Sequence, residues 1–272
     1  MKAVVKYFSG TGNSYQVAKV SANILKENGF EVFLSDIFSD NKFIEDIEFI
    51  GFCFPVYAFD IPRVCKRYLN QLPSFSKPPK IFIFITAGDE TESGFSCMTT
   101  SKILSSKNCN LIYSEVIEMP ANWTVAMNPP DKLKAMEIIE KGLIKVTGCI
   151  NDILNDNKKH KIFNYPPRFS KFGYYKEYYL FKWLGLNNLW RNFRTDNSCT
   201  GCENCMKVCP TKSIQMKNNH PVWSKTCEQC MRCVNLCSHK AIYQKGYGSV
   251  KERNLFFNPD FKPLIINILK SN

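Results

Sequence analysis

The C-terminal part of this 272-residue chain is organised by one stretch, Cys199-Thr200-Gly201-Cys202-Glu203-Asn204-Cys205-Met206-Lys207-Val208-Cys209-Pro210. Its first three cysteines are spaced three residues apart, and the fourth follows four residues later. A second stretch repeats this spacing with Cys227, Cys230, Cys233 and Cys237. Two copies of one cysteine pattern therefore determine how this part of the chain folds.

The spacing is that of the bacterial two-cluster ferredoxin run, in which the fourth cysteine of each run ligates the other cluster. The expected ligand sets are Cys199, Cys202, Cys205 and Cys237 for one 4Fe-4S cluster, and Cys227, Cys230, Cys233 and Cys209 for the other. Zinc is the alternative, because CxxC pairs also build zinc ribbons. A zinc site usually uses two separated pairs, so the spacing favours two 4Fe-4S clusters and one-electron transfer.

The duplication extends beyond the cysteines. A shift of 28 residues places Cys199 on Cys227, Lys212 on Lys240 and Ile214 on Ile242. We therefore expect two half-domains related by a pseudo-twofold axis, with one isoleucine beside each cluster. Ser238 stands where the first repeat has Pro210, which removes the constraint that proline places on that turn.

The remaining cysteines are scattered among apolar residues and are expected to be buried free thiols: Cys53, Cys65, Cys97, Cys109 and Cys149. We expect no signal peptide, because a strand-like segment begins at Lys2. No apolar run approaches the length of a membrane span. These features predict a cytoplasmic protein without a transmembrane segment, in a reducing, low-oxygen setting.

The net charge of +12 is concentrated at the C-terminal end of the chain. Residues 1–150 carry 16 basic and 16 acidic residues, residues 151–198 carry 9 and 4, and residues 199–272 carry 11 and 4. A basic protein can bind nucleic acid, but two oxidised clusters would cancel roughly four positive charges. We therefore expect no nucleic acid partner. The remaining basic face either steers an acidic redox protein or is simply solvated.

The N-terminal part alternates between short apolar runs and helical periodicity, which is typical of βαβ units. The predicted strands are Ala3–Phe8, Glu31–Leu34, Phe49–Phe54, Ile81–Thr86 and Leu111–Ile117. The predicted helices are Ser14–Asn28, Ile61–Gln71, Ser96–Ser106 and Asp131–Ile153. This pattern predicts an α/β fold with a doubly wound, parallel five-stranded sheet. Ligands of such sheets bind at the carboxyl ends of the strands.

The first predicted strand is followed directly by Ser9-Gly10-Thr11-Gly12-Asn13-Ser14 and then by a helix. Its glycines allow close backbone approach, and its hydroxyl and N–H groups face a helix N-terminus, which attracts anions. The loop is neither a Walker loop nor the dinucleotide G-x-G-x-x-G motif. It indicates a phosphate monoester held by neutral hydrogen bonds. The alternative is a structural turn in which the glycines serve packing alone.

The segment Phe8–Ser14 resembles the FMN-phosphate loop of flavodoxins. Two further segments resemble the loops that hold the flavin ring in that family: Pro55–Asp60, where Tyr57 could stack on the ring, and Thr86–Asp89 followed by Gly94-Phe95. The resemblance implies FMN binding by Ser9, Gly10, Thr11, Gly12, Asn13, Ser14, Pro55, Tyr57, Ala58, Thr86, Gly88, Asp89 and Phe95. Asn122 and Trp123 lie on the same edge and could border the flavin.

The whole chain resembles the fused flavodoxin–ferredoxin proteins of anaerobic bacteria and archaea. The implied domains are a flavodoxin-like FMN domain at 1–153, an aromatic and basic bridging segment at 154–194, a small α+β two-cluster ferredoxin domain at 195–246, and a tail at 247–272. The implied cofactors are FMN and two 4Fe-4S clusters.

The bridging segment interleaves many aromatic residues with lysine and arginine, and Tyr174–Leu184 is predicted as a short helix. Burial of an interface between domains is the favoured interpretation. A membrane-surface helix and a single-strand nucleic-acid surface are the alternatives. In the tail, Leu255–Phe257 and Leu264–Leu269 are expected to pack back on the body.

The sequence contains three histidines and no recognisable acid–base or nucleophilic constellation. Any chemistry would then be that of the flavin itself. We predict electron transfer between FMN and two 4Fe-4S clusters in a carrier for redox proteins. The alternative is a ferredoxin-dependent reductase of a quinone, nitro compound or enone, with the aromatic segment covering a pocket at the flavin.

Overall fold

The computed structural model describes residues 1–39, 46–89, 93–155, 176, 178–180 and 188–263. The chain divides into two compact units. Unit 1 comprises Met1–Ser9, Asn13–Pro120 and Leu133–Phe169, and unit 2 comprises Gly10–Gly12, Ala121–Lys132 and Ser170–Asn272. The three residues Gly10–Gly12 thus belong to unit 2 by their contacts, although they follow the first strand of unit 1.

Unit 1 is built on a parallel five-stranded sheet. Its strands are β1 (Lys2–Tyr7), β2 (Glu31–Asp36), β3 (Ile47–Pro55), β4 (Lys80–Ala87) and β5 (Asn110–Glu118), in the order β2-β1-β3-β4-β5. This is the flavodoxin-like order, which has its switch point between β1 and β3. The predicted fold class is confirmed.

Four helices alternate with these strands: α1 (Asn13–Glu27), α2 (Arg63–Gln71), α3 (Ser96–Ser105) and α4 (Lys132–Leu154). All the predicted strands and helices of this part are present, and their ends differ from the predicted ends by at most two residues. Strand β4 reads KIFIFITA and is buried after its first residue. Such a continuous apolar run is expected for a parallel strand that is covered on both faces.

The two faces of the sheet carry different helices. Residues of α1 and α4, such as Val17, Leu25, Val146 and Ile150, pack in one cluster with Phe82 and other side chains of the sheet. Helices α2 and α3 contact each other. The ring of Tyr68 in α2 lies 6.5 Å from that of Phe52, which points to the opposite face from Cys53. The carboxyl ends of β1, β3 and β4 are therefore the edge where the predicted loops emerge.

Unit 2 contains two short antiparallel ribbons. Strand β6 (Phe193–Thr195) pairs with β9 (Ile242–Gln244), and β7 (Ile214–Lys217) pairs with β8 (His220–Trp223). The pair Ile214–Trp223 and the pair Ile242–Thr195 are related by the 28-residue shift. Short helices at Asn204–Lys207 and Arg232–Asn235 obey the same shift. The duplication seen in the sequence is thus a structural duplication, which agrees with the predicted small α+β ferredoxin fold.

The C-terminal tail packs within unit 2 as far as residue 263. Phe256 is buried, and its N–H donates to Asn235 Oδ1 over 2.9 Å. The predicted segment Leu264–Leu269 lies outside the described residues. Of the predicted helix Tyr174–Leu184, only Lys176 and Tyr178–Leu180 are described, and they are helical. None of the helices in the described ranges combines the length and the apolar character needed to cross a bilayer.

Candidate functional site

The first of two cavities in unit 2 is lined by four cysteines from both repeats. They are Cys199, Cys202, Cys205 and Cys237, the set that the spacing assigned to one cluster. Ile242 lines the same cavity, which holds about 410 Å³ of space that no protein atom fills, part of it open solvent. Cys202 is exposed, so this cavity reaches the protein surface.

The second cavity is lined by the complementary set, Cys209, Cys227, Cys230 and Cys233. Its empty volume is about 300 Å³, and Ile214 lines it in the way that Ile242 lines the first. Cys209, Cys227 and Cys233 are buried. Each cavity thus receives three cysteines from one run and the fourth from the other run.

The loops around the cavities share an unusual backbone. Glu203 and Met231, which are 28 residues apart, have φ of 63° and 56°, and Lys212 and Lys240 have φ of 51° and 46°. Non-glycine residues rarely adopt this left-handed conformation, and it tends to occur at functional sites. Its recurrence in both repeats indicates that each turn is shaped by the same requirement.

Backbone N–H groups point at the sulfur atoms. The N–H of Ser213 donates to Cys209 Sγ over 3.3 Å, and the symmetry-related N–H of Ala241 donates to Cys237 Sγ over 3.4 Å. Such bonds favour a thiolate and are among the interactions that set the potential of an iron–sulfur cluster. The two repeats supply them at equivalent positions.

Burial opposes ionisation of these thiols in the metal-free chain. It raises the pKa of Cys205 and of Cys227 to about 12, and that of Cys230 to about 11 although nearby Arg232 lowers it. Iron stabilises thiolate ligands, and metal binding releases their protons. In the described ranges, no three His, Cys, Asp or Glu side chains are arranged to share one metal ion. The crossed sets of four cysteines around each cavity fit the donor chemistry of 4Fe-4S clusters.

The predicted phosphate loop joins β1 to α1. Ser9, Thr11 and Ser14 are buried, and Ser14 Oγ lies 2.7 Å from Thr86 Oγ1 at the end of β4. Asn13 Nδ2 donates to Pro120 O over 2.9 Å. The first turn of α1 contains no acidic residue. The helix N-terminus therefore keeps the partial positive charge that favours an anion.

The middle of this loop is held by residues of unit 2. The carbonyl oxygens of Gly10 and Thr11 accept hydrogen bonds from Arg232 Nε over 2.9 Å and from the N–H of Asn258 over 2.8 Å. The hydroxyl oxygen of Thr11 accepts from Asn122 Nδ2 over 2.6 Å. Asn122 was considered in the sequence, whereas Arg232 and Asn258 were missed. No local pattern marks these two residues, because they follow the loop by more than 200 positions.

The two predicted flavin-ring loops meet in unit 1. A tight turn links Tyr57 to Asp60, and its central residues Ala58 and Phe59 have φ of 52° and 65°. The carbonyl oxygen of Phe59 accepts from the N–H of Phe95 over 2.7 Å. Gly94 (φ 61°) is required here, because a Cβ at this position would lie 1.9 Å from that oxygen. The structure thus brings the segments Pro55–Asp60 and 88–95 together.

The side chains of these loops differ in exposure. The Phe95 side chain is buried, with 4% of its surface exposed, whereas Tyr57 is half-buried and its ring lies 6.2 Å from that of Phe8. Pro55 and Thr86 end β3 and β4 side by side in the parallel register. Gly88 and Asp89 follow β4 on the surface. Tyr57 is therefore more accessible to a planar ligand than Phe95.

Unit 1 also has polar atoms that suit a hydroxyl-rich ligand. Asn13 Oδ1, Ser93 Oγ and Ser96 Oγ are buried and lack a hydrogen-bond partner within the described part of the chain. Buried polar atoms are normally paired. These three lie in the loop after β1 and in the segment that opens α3, both of which were predicted to contact FMN. The residues present therefore fit a phosphate ester with further polar groups.

Other predicted features remain outside the site. Trp123 packs in unit 2 with its ring 6.0 Å from that of Tyr247. His220 Nδ1 lies 3.0 Å from Thr195 Oγ1 on the surface of unit 2, and His160 lies outside the described residues. Most aromatic residues of segment 154–194 also lie outside them.

Comparisons with known proteins agree with this division of the chain. Residues 198–242 match the model of a family described as a 4Fe-4S dicluster domain. No curated protein matches the sequence.

Solved flavodoxin structures are similar to the N-terminal part. One from the domain Archaea is 13% identical, covering 56% of this chain and 99% of its own, with a TM-score of 0.38. Oxidised flavodoxin 1 from Bacillus cereus is 15% identical, covering 53% and 98%, with a TM-score of 0.38. Flavodoxin from Megasphaera elsdenii is 19% identical, covering 53% and 99%, with a TM-score of 0.37. On its own strand order and the family match, the chain combines a flavodoxin-like sheet with a 4Fe-4S dicluster domain.

Proposed function

We propose that this chain is an electron-transfer protein that binds FMN at the loop Ser9–Ser14 and one 4Fe-4S cluster in each of its two cysteine-lined cavities. The observation that carries the proposal is the crossed grouping of the eight cysteines, four around each cavity. FMN exchanges one or two electrons, whereas a 4Fe-4S cluster exchanges one at a time. A chain that holds both can connect donors and acceptors of different electron number.

The residues of the chain divide the work of such a carrier. The cysteines hold the clusters, and the N–H groups of Ser213 and Ala241 bond to their sulfur ligands. Exposed Cys202 brings the first cavity to the surface, where electrons can pass to or from another protein. The loop after β1 and the turn Tyr57–Asp60 hold the flavin.

The partner is proposed to be a redox protein with an acidic docking face. Exposed lysines, including Lys207, Lys217 and Lys225, lie on unit 2, and residues 199–272 carry seven more basic than acidic residues. Complementary charge speeds the encounter of two proteins and weakens with salt. Cytoplasmic location belongs to the same proposal, because cluster thiolates need a reducing compartment. The reductase alternative rests on aromatic residues that lie mostly outside the described part of the chain.

Paired cysteine substitutions test the crossed ligation after anaerobic reconstitution with iron, sulfide and FMN. The double variant Cys209→Ala/Cys227→Ala removes two ligands of the same proposed cluster and should keep about half of the iron, because each cluster takes four cysteine ligands. The double variant Cys209→Ala/Cys199→Ala removes one ligand from each cluster and should lose most of it. If each run instead bound its own metal, the two variants would exchange their iron contents.

Electron transfer is tested by mixing the reduced, fully loaded protein with an oxidised ferredoxin or flavodoxin and following both absorbance spectra under anaerobic conditions. The proposal expects fast exchange that slows as salt is added. Turnover of a quinone, nitro compound or enone without exchange between proteins would instead favour a reductase.

A further inference from the structure

Residues Gly10–Gly12 are held through their carbonyl oxygens. Arg232 Nε donates to Gly10 O, and the N–H of Asn258 donates to Thr11 O, at 2.9 Å and 2.8 Å. All of these residues belong to unit 2. Two consecutive peptide groups of the loop are therefore fixed by partners that lie far away in sequence.

The orientation of a peptide carbonyl also determines that of the N–H across the same bond. No peptide bond in the described ranges is cis, and in a planar trans peptide the C=O and N–H groups point in opposite directions. Because Gly10 O faces Arg232 and Thr11 O faces Asn258, the N–H groups of Thr11 and Gly12 are directed to the other side. Successive N–H groups on one side of a loop before a helix are the arrangement that binds a phosphate.

Packing holds the same peptide groups in place. Gly12 has φ of 109°, and a Cβ there would lie 2.3 Å from Asn258 Cβ and 2.8 Å from Phe261 Cβ. Asn258 and Phe261 are both buried, with 2% and 4% of their surfaces exposed. The loop backbone therefore lies directly against the C-terminal segment, and only glycine allows this approach.

Arg232 also brings a positive charge to a loop that contains no lysine. Its side chain is 3% exposed, donates from Nη1 to Val208 O over 3.0 Å, and places its guanidinium 5.3 Å from the centre of the Phe261 ring. A guanidinium stays charged in proteins, and burial weakens the screening of its field. A phosphate on the N–H side of the loop would therefore be favoured by this charge.

We propose that Arg232 and Asn258 are positioning residues for the phosphate of FMN, which they serve by fixing the peptide groups of Gly10–Gly12. This inference rests on the proposed FMN site. It adds that flavin binding in this chain depends on residues from the cluster-binding part, through the phosphate and not through the ring.

The test compares FMN with riboflavin, which has the same ring and lacks the phosphate. Quenching of flavin fluorescence gives the Kd of each ligand for the full-length chain with its clusters loaded. Arg232→Met removes the donor and the charge, and Asn258→Pro removes the backbone N–H. Each variant should weaken FMN binding about tenfold or more, the range expected for one hydrogen bond to a charged or buried group. The Kd of riboflavin should change much less.

Two matched variants serve as controls. Arg253→Met removes an arginine whose Nη1 and Nη2 bond to Thr124 O and Tyr247 O in the same unit, and Asn258→Ala keeps the N–H that Asn258→Pro removes. Both should bind FMN like the wild type. Iron and sulfide content checks that each variant retains its clusters, and Asn258→Pro provides a test that does not alter a residue beside Cys230 or Cys233.

The outcomes separate the two proposals. If the wild type binds neither flavin, the FMN site itself is wrong. If the wild type binds FMN and both test variants bind it equally well, the positioning role is wrong. The role is also wrong if FMN and riboflavin lose affinity to the same extent, because the substitutions then act on the fold and not on the phosphate.

Discussion

At the scale of single residues, burial controls the chemistry of the cysteines outside the cavities. Cys97 is 3% exposed, and burial together with the negative charge of Glu115 raises the pKa of its thiol to about 12. Cys53 is fully buried, and burial raises its pKa above the ordinary value as well. Both thiols stay protonated at neutral pH. Since the thiolate is the nucleophile, they should be inert in the native protein.

Alkylation with iodoacetamide at pH 8 followed by mass spectrometry checks this prediction. Cys109 is half-buried, and its Sγ donates to Leu104 O over 3.0 Å, so it should react before Cys53 and Cys97. In urea all three should react at similar rates. Modification of Cys97 as fast as Cys109 in the native state would show that this part of the sheet opens readily.

At the scale of an element, helix α4 offers two glycines in contrasting surroundings. A Cβ at Gly142 would lie 2.6 Å from Glu118 O and 3.1 Å from Met119 Sδ, whereas a Cβ at Gly148 would meet no atom within 4 Å. Gly148→Ala should raise the free energy of unfolding by about 1 kcal/mol, because alanine restricts the unfolded chain and favours the helix. Gly142→Ala should lower it by about 1–3 kcal/mol, since the helix must move away from β5.

Urea unfolding monitored by far-UV circular dichroism measures both changes. The two substitutions add the same methyl group to the same helix, so helix propensity cancels in the comparison. Equal effects of the two variants would mean that the close approach of α4 to the end of β5 does not persist in solution.

At the scale of the whole molecule, the two units should differ in their dependence on metal. The core of unit 2 includes the cluster cysteines Cys209, Cys227 and Cys233, whereas the core of unit 1 is formed by the sheet and its helices. Small domains with a limited core often need a metal to fold. Removal of iron should therefore destabilise unit 2 more than unit 1.

Tryptophan emission and far-UV circular dichroism can follow the units separately during urea unfolding of the iron-depleted protein. Trp123, Trp190 and Trp223 lie in unit 2, while the long helices α1 and α4 belong mainly to unit 1. The shift in emission wavelength should occur at lower urea than the loss of the helical signal. Coincident transitions at every stage of iron removal would contradict this expectation.

The elements of unit 1 could be predicted from sequence because the information is local. The apolar run Ile81–Thr86 and the periodic stretch Asp131–Ile153 each bury residues in a pattern that a short window of sequence reveals. The ends were less certain, since they depend on neighbours: β3 begins at Ile47, two residues before its predicted start, and pairs there with Lys2. The 28-residue repeat was likewise visible because both copies keep the same spacing.

The candidate site was predictable only in part. The cysteine spacing indicated cluster ligands, and Ser9–Ser14 indicated an anion loop, because each motif is contiguous in the chain. Arg232 and Asn258 carry no such signal, since an arginine or asparagine in a loop is compatible with many surroundings. Arg232 meets Gly10 across 222 residues of chain.

By itself, the sequence determined the parallel sheet, the duplicated cysteine frame and the position of the glycine-rich loop, because apolar periodicity and ligand spacing act over a few residues. Only the tertiary structure decided which groups hold the carbonyl oxygens of Gly10 and Thr11. Hydrogen bonds between distant segments form only where the folded chain brings a donor within about 3 Å of an acceptor, and no local pattern encodes that approach.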